Sequence, residues 1–179
     1  MSAKPRFATV WLGGCSGCHM SFLDLDEWVI DLADLVDIVY TPIADIKVFP
    51  ENVDIALVEG AVANEDNLEM IHKVRQNSKM VIAFGDCAVT GNVTALRNPI
   101  GTATQILKAV YTESPDLQPQ IPSRSRIVPV LLDKVLPLHA HVKVDKYIHG
   151  CPPSAALIRQ SLEAILEGAD YAASTSKFG

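Results

Sequence analysis

Short apolar runs alternate along this chain with longer segments in which apolar residues recur every three or four positions. The runs at residues 7–12, 37–40, 54–59, 80–84 and 143–148 have the length and content of buried strands. Between the first two, residues 22–35 set Phe22, Leu25, Trp28, Val29 and Leu32 on one helical face and Asp24, Glu27, Asp31 and Asp34 on the other. That pattern predicts an amphipathic helix with a solvated acidic side. Asn64 is placed to cap a second helix running to Arg75, because Glu65 and Asp66 fall in its first turn and Leu68, Ile71 and Val74 line one side. Further helices are predicted over residues 102–111 and 153–166, the latter with Pro153 in its first turn. Residues 114–129 are proline-rich and read as an irregular surface excursion, and residues 172–179 read as a fraying tail.

Strands that alternate with helices favour a parallel sheet covered on both faces, since parallel neighbours need a crossover. The predicted fold class is therefore α/β, a flavodoxin-like doubly wound parallel sheet, with residues 1–179 forming one domain. At 179 residues and 49% hydrophobic content, such a domain can bury a sizeable core without disulfides. The net charge of −6, with 15 Lys and Arg scattered rather than clustered, argues against nucleic-acid binding. No apolar run approaches the ~20 residues of a membrane span. The N-terminal residues carry neither a secretory hydrophobic region nor a twin-arginine pair, which points to a cytoplasmic protein.

Four cysteines sit in turns marked by glycine or proline: Gly13-Gly14-Cys15-Ser16-Gly17-Cys18, Gly85-Asp86-Cys87 and Gly150-Cys151-Pro152-Pro153. All four follow candidate strands, and sites in open α/β sheets form outside the carboxyl ends of the strands. Four thiolates suit either a cubane iron–sulfur cluster or a tetrahedral zinc. Zinc sites commonly draw on two close pairs of ligands, whereas here one CxxC pair is joined by two single, widely separated cysteines. A thioredoxin-like redox pair accounts for Cys15 and Cys18 but leaves Cys87 and Cys151 unexplained. A cubane accepts wide spacing because it is larger than one ion. In this setting Gly13, Gly14, Gly17, Gly85, Gly91 and Gly150 read as positions where backbone approaches the cluster.

In order and combination these motifs resemble the small subunit of nickel–iron hydrogenases, most closely the short cytoplasmic subunits of the NAD-linked, bidirectional type. The resemblance spans Phe7 to about Leu166. It rests on the CxGC loop with Ser21, the Leu57-Val58-Glu59-Gly60 strand end, Gly85-Asp86-Cys87-Ala88 with Gly91, Asn98-Pro99, and Gly150-Cys151-Pro152-Pro153. It implies that Cys15, Cys18, Cys87 and Cys151 bind one proximal [4Fe–4S] cluster. That cluster would relay electrons between a nickel–iron centre in a large partner subunit and diaphorase subunits that carry iron–sulfur clusters and FMN. Many relatives have Glu where Met20 stands and Pro where Ala155 stands, so a proton-handling role at position 20 does not transfer. Longer relatives add a C-terminal domain with further clusters, and no residue after Cys151 is a cysteine.

Two other readings compete. A quinone- or coenzyme-linked subunit, such as the complex I chain with a terminal cluster, typically has adjacent cysteines in its first motif, where Ser16 and Gly17 intervene here. A flavin-binding flavodoxin-like module would hold FMN, but GxGxxG and Walker A loops are both absent and the chain offers no decisive support for a flavin. Among the other residues, Glu59 is a strand-end acid suited to carrying protons or fixing a loop. His19 is either a neighbour of the cluster or an exposed loop residue. His139 and His141 would form a metal pair only if they lay on a strand. His72 is read as a surface residue, His149 as a neighbour of the ligands, and Trp11 as core.

Overall fold

The computed structural model describes residues 3–113, 118–123 and 127–168. Five strands form a parallel sheet: β1 (Arg6–Trp11), β2 (Asp37–Tyr40), β3 (Val53–Glu59), β5 (Ser78–Phe84) and β7 (Lys146–Ile148). Their order across the sheet is β2-β1-β3-β5-β7. Counted within this sheet alone, that is the 2-1-3-4-5 order of flavodoxin-like folds, with the switch point between β1 and β3. A separate antiparallel ribbon pairs β4 (Val62–Asn64) with β6 (Leu131–Leu136). Neither ribbon strand is legible in the hydrophobic pattern, because β4 is very short and only Val135 of β6 is buried.

Side chains alternate across the central strands, and each face of the sheet receives its own helices. Phe7, Ile55, Leu57, Ile82 and Phe84 point to one side. There they meet α1 (Gly17–Leu23), α2 (Trp28–Leu35) and α7 (Ala155–Leu166) through Phe22, Trp28, Leu32, Ile158 and Leu162. Ala8, Val10, Ala56, Val58, Val81 and Ala83 point to the other side. There α3 (Glu65–Asn77) contributes Ile71 and Val74, and α4 (Asp86–Thr90) contributes Ala88. Strands buried on both faces read as continuous apolar runs, which is why they stand out in the sequence. Leu57 lies mid-strand and is fully buried. Leu57→Ala is expected to cost about 2–5 kcal/mol of stability, read from urea unfolding.

Several predicted boundaries shift. The helix predicted over residues 22–35 is two helices, α1 and α2, separated by a turn in which Asp26 has φ +50°. The acidic residues Asp24, Glu27, Asp31 and Asp34 are exposed, as expected of a solvated face. Asn64 does cap α3, its side chain accepting the Asn67 N–H at 2.8 Å. The last helix starts after Pro153, with Ser154 as its cap and Ala155 as its first residue. α5 (Asn92–Ala95) has no counterpart in the hydrophobic pattern, whereas α6 (Ala103–Tyr111) carries a Thr102–Gln105 capping box close to the expected start. Of the proline-rich stretch, the described residues 118–123 and 127–129 form neither helix nor strand. The tail at 172–179 lies outside the described residues. Among the described residues no helix is long and apolar enough to cross a membrane.

Asp145 fastens the loop before β7 to the sheet. Its Oδ2 accepts the Val81 N–H at 2.9 Å and lies 2.5 Å from Arg75 Nη1. Burial raises its carboxyl pKa, but the Val81 N–H and the Arg75 guanidinium outweigh burial and bring it below the ordinary aspartate value. The folded-state pKa therefore lies under the unfolded one. The stability it contributes is present above about pH 4 and is lost as pH falls through the folded value. Asp145→Asn is expected to be less stable than the parent at about pH 7 and to lose less stability on going to about pH 3, read by urea titration at both.

Candidate metal centre

The strand register brings the cysteine turns to one level. Trp11 pairs with Glu59, Glu59 with Phe84, and Phe84 with Ile148, so the last residues of β1, β3, β5 and β7 form a row across the sheet. Cys15 and Cys18 follow the first of these strands, Cys87 the third and Cys151 the fourth. The loop after β1 stays attached to the extension of β3 through Gly13 and Ala61, whose N–H and C=O groups exchange bonds of 2.9 and 2.8 Å. That attachment turns the chain back so that α1 starts above the sheet with Cys18 on its inner side.

Cys18 and Cys87 are each 6% exposed, while Cys15 and Cys151 open onto the surface. Burial pushes the Cys18 thiol pKa up, and Glu59, Cys87, Cys15 and Cys151 push it further. Cys87 is raised first by burial and then by Cys151 and Cys15, against which the main-chain N–H groups of Val93 and Thr94 act as donors to its sulfur. Each buried thiol therefore feels the other cysteines, so the four form one electrostatic cluster. Left to themselves the buried thiols stay protonated, and a cationic centre must displace their protons to gain thiolate ligands.

The donor set around the sulfurs fits an iron–sulfur group. Gly17 N–H donates to Cys15 Sγ at 3.4 Å, and Asn92 Nδ2 donates to Cys151 Sγ at 3.1 Å. Such N–H donors spread the negative charge of thiolates and of bridging sulfides. Gly85, at φ +81°, lies so close to Cys18 that an added Cβ would stand 2.1 Å from its Sγ. Among the described residues no group of three or more His, Cys, Asp or Glu side chains is arranged to hold a single metal ion.

Beyond its chain neighbours, a Cβ on Gly17 or Gly85 would first meet a cysteine sulfur, whereas one on Gly13, Gly14, Gly91 or Gly150 would first meet Ala61 O, Gly60 Cα, Ala95 Cβ or Pro153 Cα. Trp11 is not core: it is 47% exposed at the rim, since β1 runs past its last pair with β2 while still paired to β3, and its Nε1 donates to Gly14 O at 3.2 Å. His139 lies in a short 3₁₀ turn, Leu138–Ala140, and His141 caps it, so neither stands on a strand. His72 and His149 are exposed, and His149 stacks on Tyr147.

His19 is a buried helix residue rather than an exposed loop one, at 5% exposure. Glu59, at 1% exposure, accepts the His19 N–H on Oε2 at 2.9 Å, and the same oxygen lies 2.5 Å from His19 Nδ1. Asn92 and the Val93 and Thr94 amides are site groups that the sequence does not announce. Their only signal is their position directly after Gly91.

Residues 15–165 match the family described as NADH ubiquinone oxidoreductase, 20 kDa subunit. The chain belongs to this family. A relative from Cupriavidus necator, the delta subunit of the NAD-reducing hydrogenase HoxS, is 37% identical over 94% of this chain and 81% of its own length. A relative from Methanococcus voltae, belonging to the F420-non-reducing hydrogenase vhu, is 43% identical over 95% of this chain, which spans 59% of that protein's length. Among solved structures, a chain of an NAD+-reducing [NiFe]-hydrogenase in the H2-reduced state superimposes with a TM-score of 0.91 at 37% identity. The match covers 98% of this chain and 99% of that one. A [NiFeSe] hydrogenase chain shares the fold at a TM-score of 0.60 and 15% identity.

Proposed function

We propose that this chain is the electron-transfer small subunit of a cytoplasmic NAD-reducing [NiFe] hydrogenase, with Cys15, Cys18, Cys87 and Cys151 holding one proximal [4Fe–4S] cluster. The convergence of all four thiols on one rim carries this reading, within a fold that matches an NAD+-reducing [NiFe]-hydrogenase chain nearly end to end. When bound, such a cluster supplies a one-electron centre. The residues of this chain do the rest. Gly85 leaves room for the Cys18 sulfur, and Asn92 and the Gly17, Val93 and Thr94 amides direct N–H dipoles at the thiolates. Cys15 and Cys151 are exposed, and so are Trp11, Met20 and Val93, which lie in or beside the cysteine turns and Asn92 in sequence. Large apolar side chains around a polar redox site suit a subunit interface, where a hydrogenase large subunit holding the nickel–iron centre would dock. Diaphorase subunits with iron–sulfur clusters and FMN would take the electrons onward to NAD. The chain itself would have no hydrogenase activity alone.

A second reading, a quinone-linked subunit of the complex I type, draws on the family to which residues 15–165 belong. The two residues between Cys15 and Cys18 favour the hydrogenase side. The test is anaerobic reconstitution followed by metal analysis, with about four iron and four acid-labile sulfide per chain expected. One zinc and no sulfide would establish a structural metal instead. Affinity purification from the native cell should recover a nickel-containing partner and hydrogen-dependent NAD reduction. Recovery of the chain with quinone-reducing subunits and no nickel would favour the second reading.

A further inference from the structure

Two contacts tie the cysteine turns to one another and a third ties the Cys18 helix to β3, and no thiol takes part in them. Asp86 N–H donates to Gly150 O at 2.9 Å, and Asp86 Oδ1 accepts the Gly150 N–H at 2.8 Å. The residues immediately preceding Cys87 and Cys151 are thereby joined by a two-bond ring. Ser21 Oγ, on a residue 5% exposed, donates to Pro153 O at 2.5 Å and joins the helix of Cys18 to the turn of Cys151. The His19–Glu59 pair joins the same helix to the end of β3.

Glu59 is 1% exposed, and its Oε2 accepts the His19 N–H at 2.9 Å and lies 2.5 Å from His19 Nδ1, so one carboxyl oxygen holds both the main chain and the ring of His19. Ser21 and Asp86 show the same economy: each polar side chain is spent on a backbone group of the opposite turn, across 132 and 64 residues of sequence.

We propose that Asp86, Ser21 and the His19–Glu59 pair are positioning residues that hold the three cysteine turns in their mutual arrangement before any cluster is bound. This rests on the four cysteines being the ligands. Cluster assembly then meets a preformed site, and the ordering of three separate loops is complete on folding rather than charged to cofactor binding.

The full-length apo chain tests this with iron and sulfide as the added probe. Asp86→Ala and Ser21→Ala are each expected to slow anaerobic cluster assembly at least about tenfold, whereas Asp86→Asn, which keeps the Oδ1 acceptor, stays near the parent rate. Bridging of Cys15 to Cys151 by dibromobimane in the apo chain should fall along with assembly, a readout that simple loss of stability in a still-folded variant does not move. Hydrogen exchange of the unsubstituted apo chain adds a measure that does not depend on variants folding. Peptides around His19, Asp86 and Gly150 should be protected before iron is added. Unprotected amides there, or folded Ala variants that assemble and bridge at the parent rate, overturn the proposal. If the parent takes up no iron and sulfide while bridging still depends on Asp86 and Ser21, the cluster assignment fails and the positioning role stands.

Discussion

Cys87→Ser is expected to abolish the iron–sulfur absorption of the reconstituted chain and to lower hydrogen-dependent NAD or dye reduction in the assembled complex by more than about 100-fold. Removing residues that merely support a metal ligand costs about 10–100-fold, and losing the ligand itself should exceed that. Cys87 is the informative position because it is buried, receives the Val93 and Thr94 amides, and lies between the electrostatic reach of Cys15 and Cys151. A serine hydroxyl at that site is a poorer, harder ligand and cannot replace a thiolate for iron–sulfur chemistry. Cys15→Ser, Cys18→Ser and Cys151→Ser should follow the same direction. A Cys87→Ser chain with an unchanged cluster spectrum and full activity would remove it from the ligand set.

Gly85→Ala is expected to be strongly damaging. At φ +81° an alanine is strained by about 1–3 kcal/mol before any contact is considered. Its Cβ would also fall 2.1 Å from Cys18 Sγ, so the sulfur or the backbone must move. Cys18 is packed in the core with Phe22 and Phe84, which leaves the sulfur little room to yield. The substitution should therefore lower the urea midpoint of the apo chain and cut iron incorporation together. A variant that unfolds like the parent and still binds a full complement of iron would show that the turn opens more easily than its packing implies.

The central strands, the cap of α3, and the solvated acids on and before α2 were all readable from residue order. Each depends on neighbours close in sequence: a run of apolar residues, an Asn before two acids, a recurrence every three or four positions. The cysteine turns were readable for the same reason, since glycine and cysteine mark them locally. The β4–β6 ribbon was not readable, because its two strands are far apart in sequence, β4 is very short and β6 buries only Val135. Trp11 misled for a related reason. A large apolar side chain at the end of a buried run is core if the sheet continues and rim if it stops, and only the register of β1 against β3 says which.

His19, Glu59, Ser21 and Asp86 show the division most clearly. Their residue types and their closeness to cysteines are written in the chain, and so is the set of thiols that could serve one centre. Whether those thiols share a rim and which acid holds which histidine depend on strands β1, β3, β5 and β7 ending in one row. Linear patterns report local propensity and burial, whereas contacts between turns separated by dozens of residues exist only once the sheet has set their register, because that register places each turn against its neighbours.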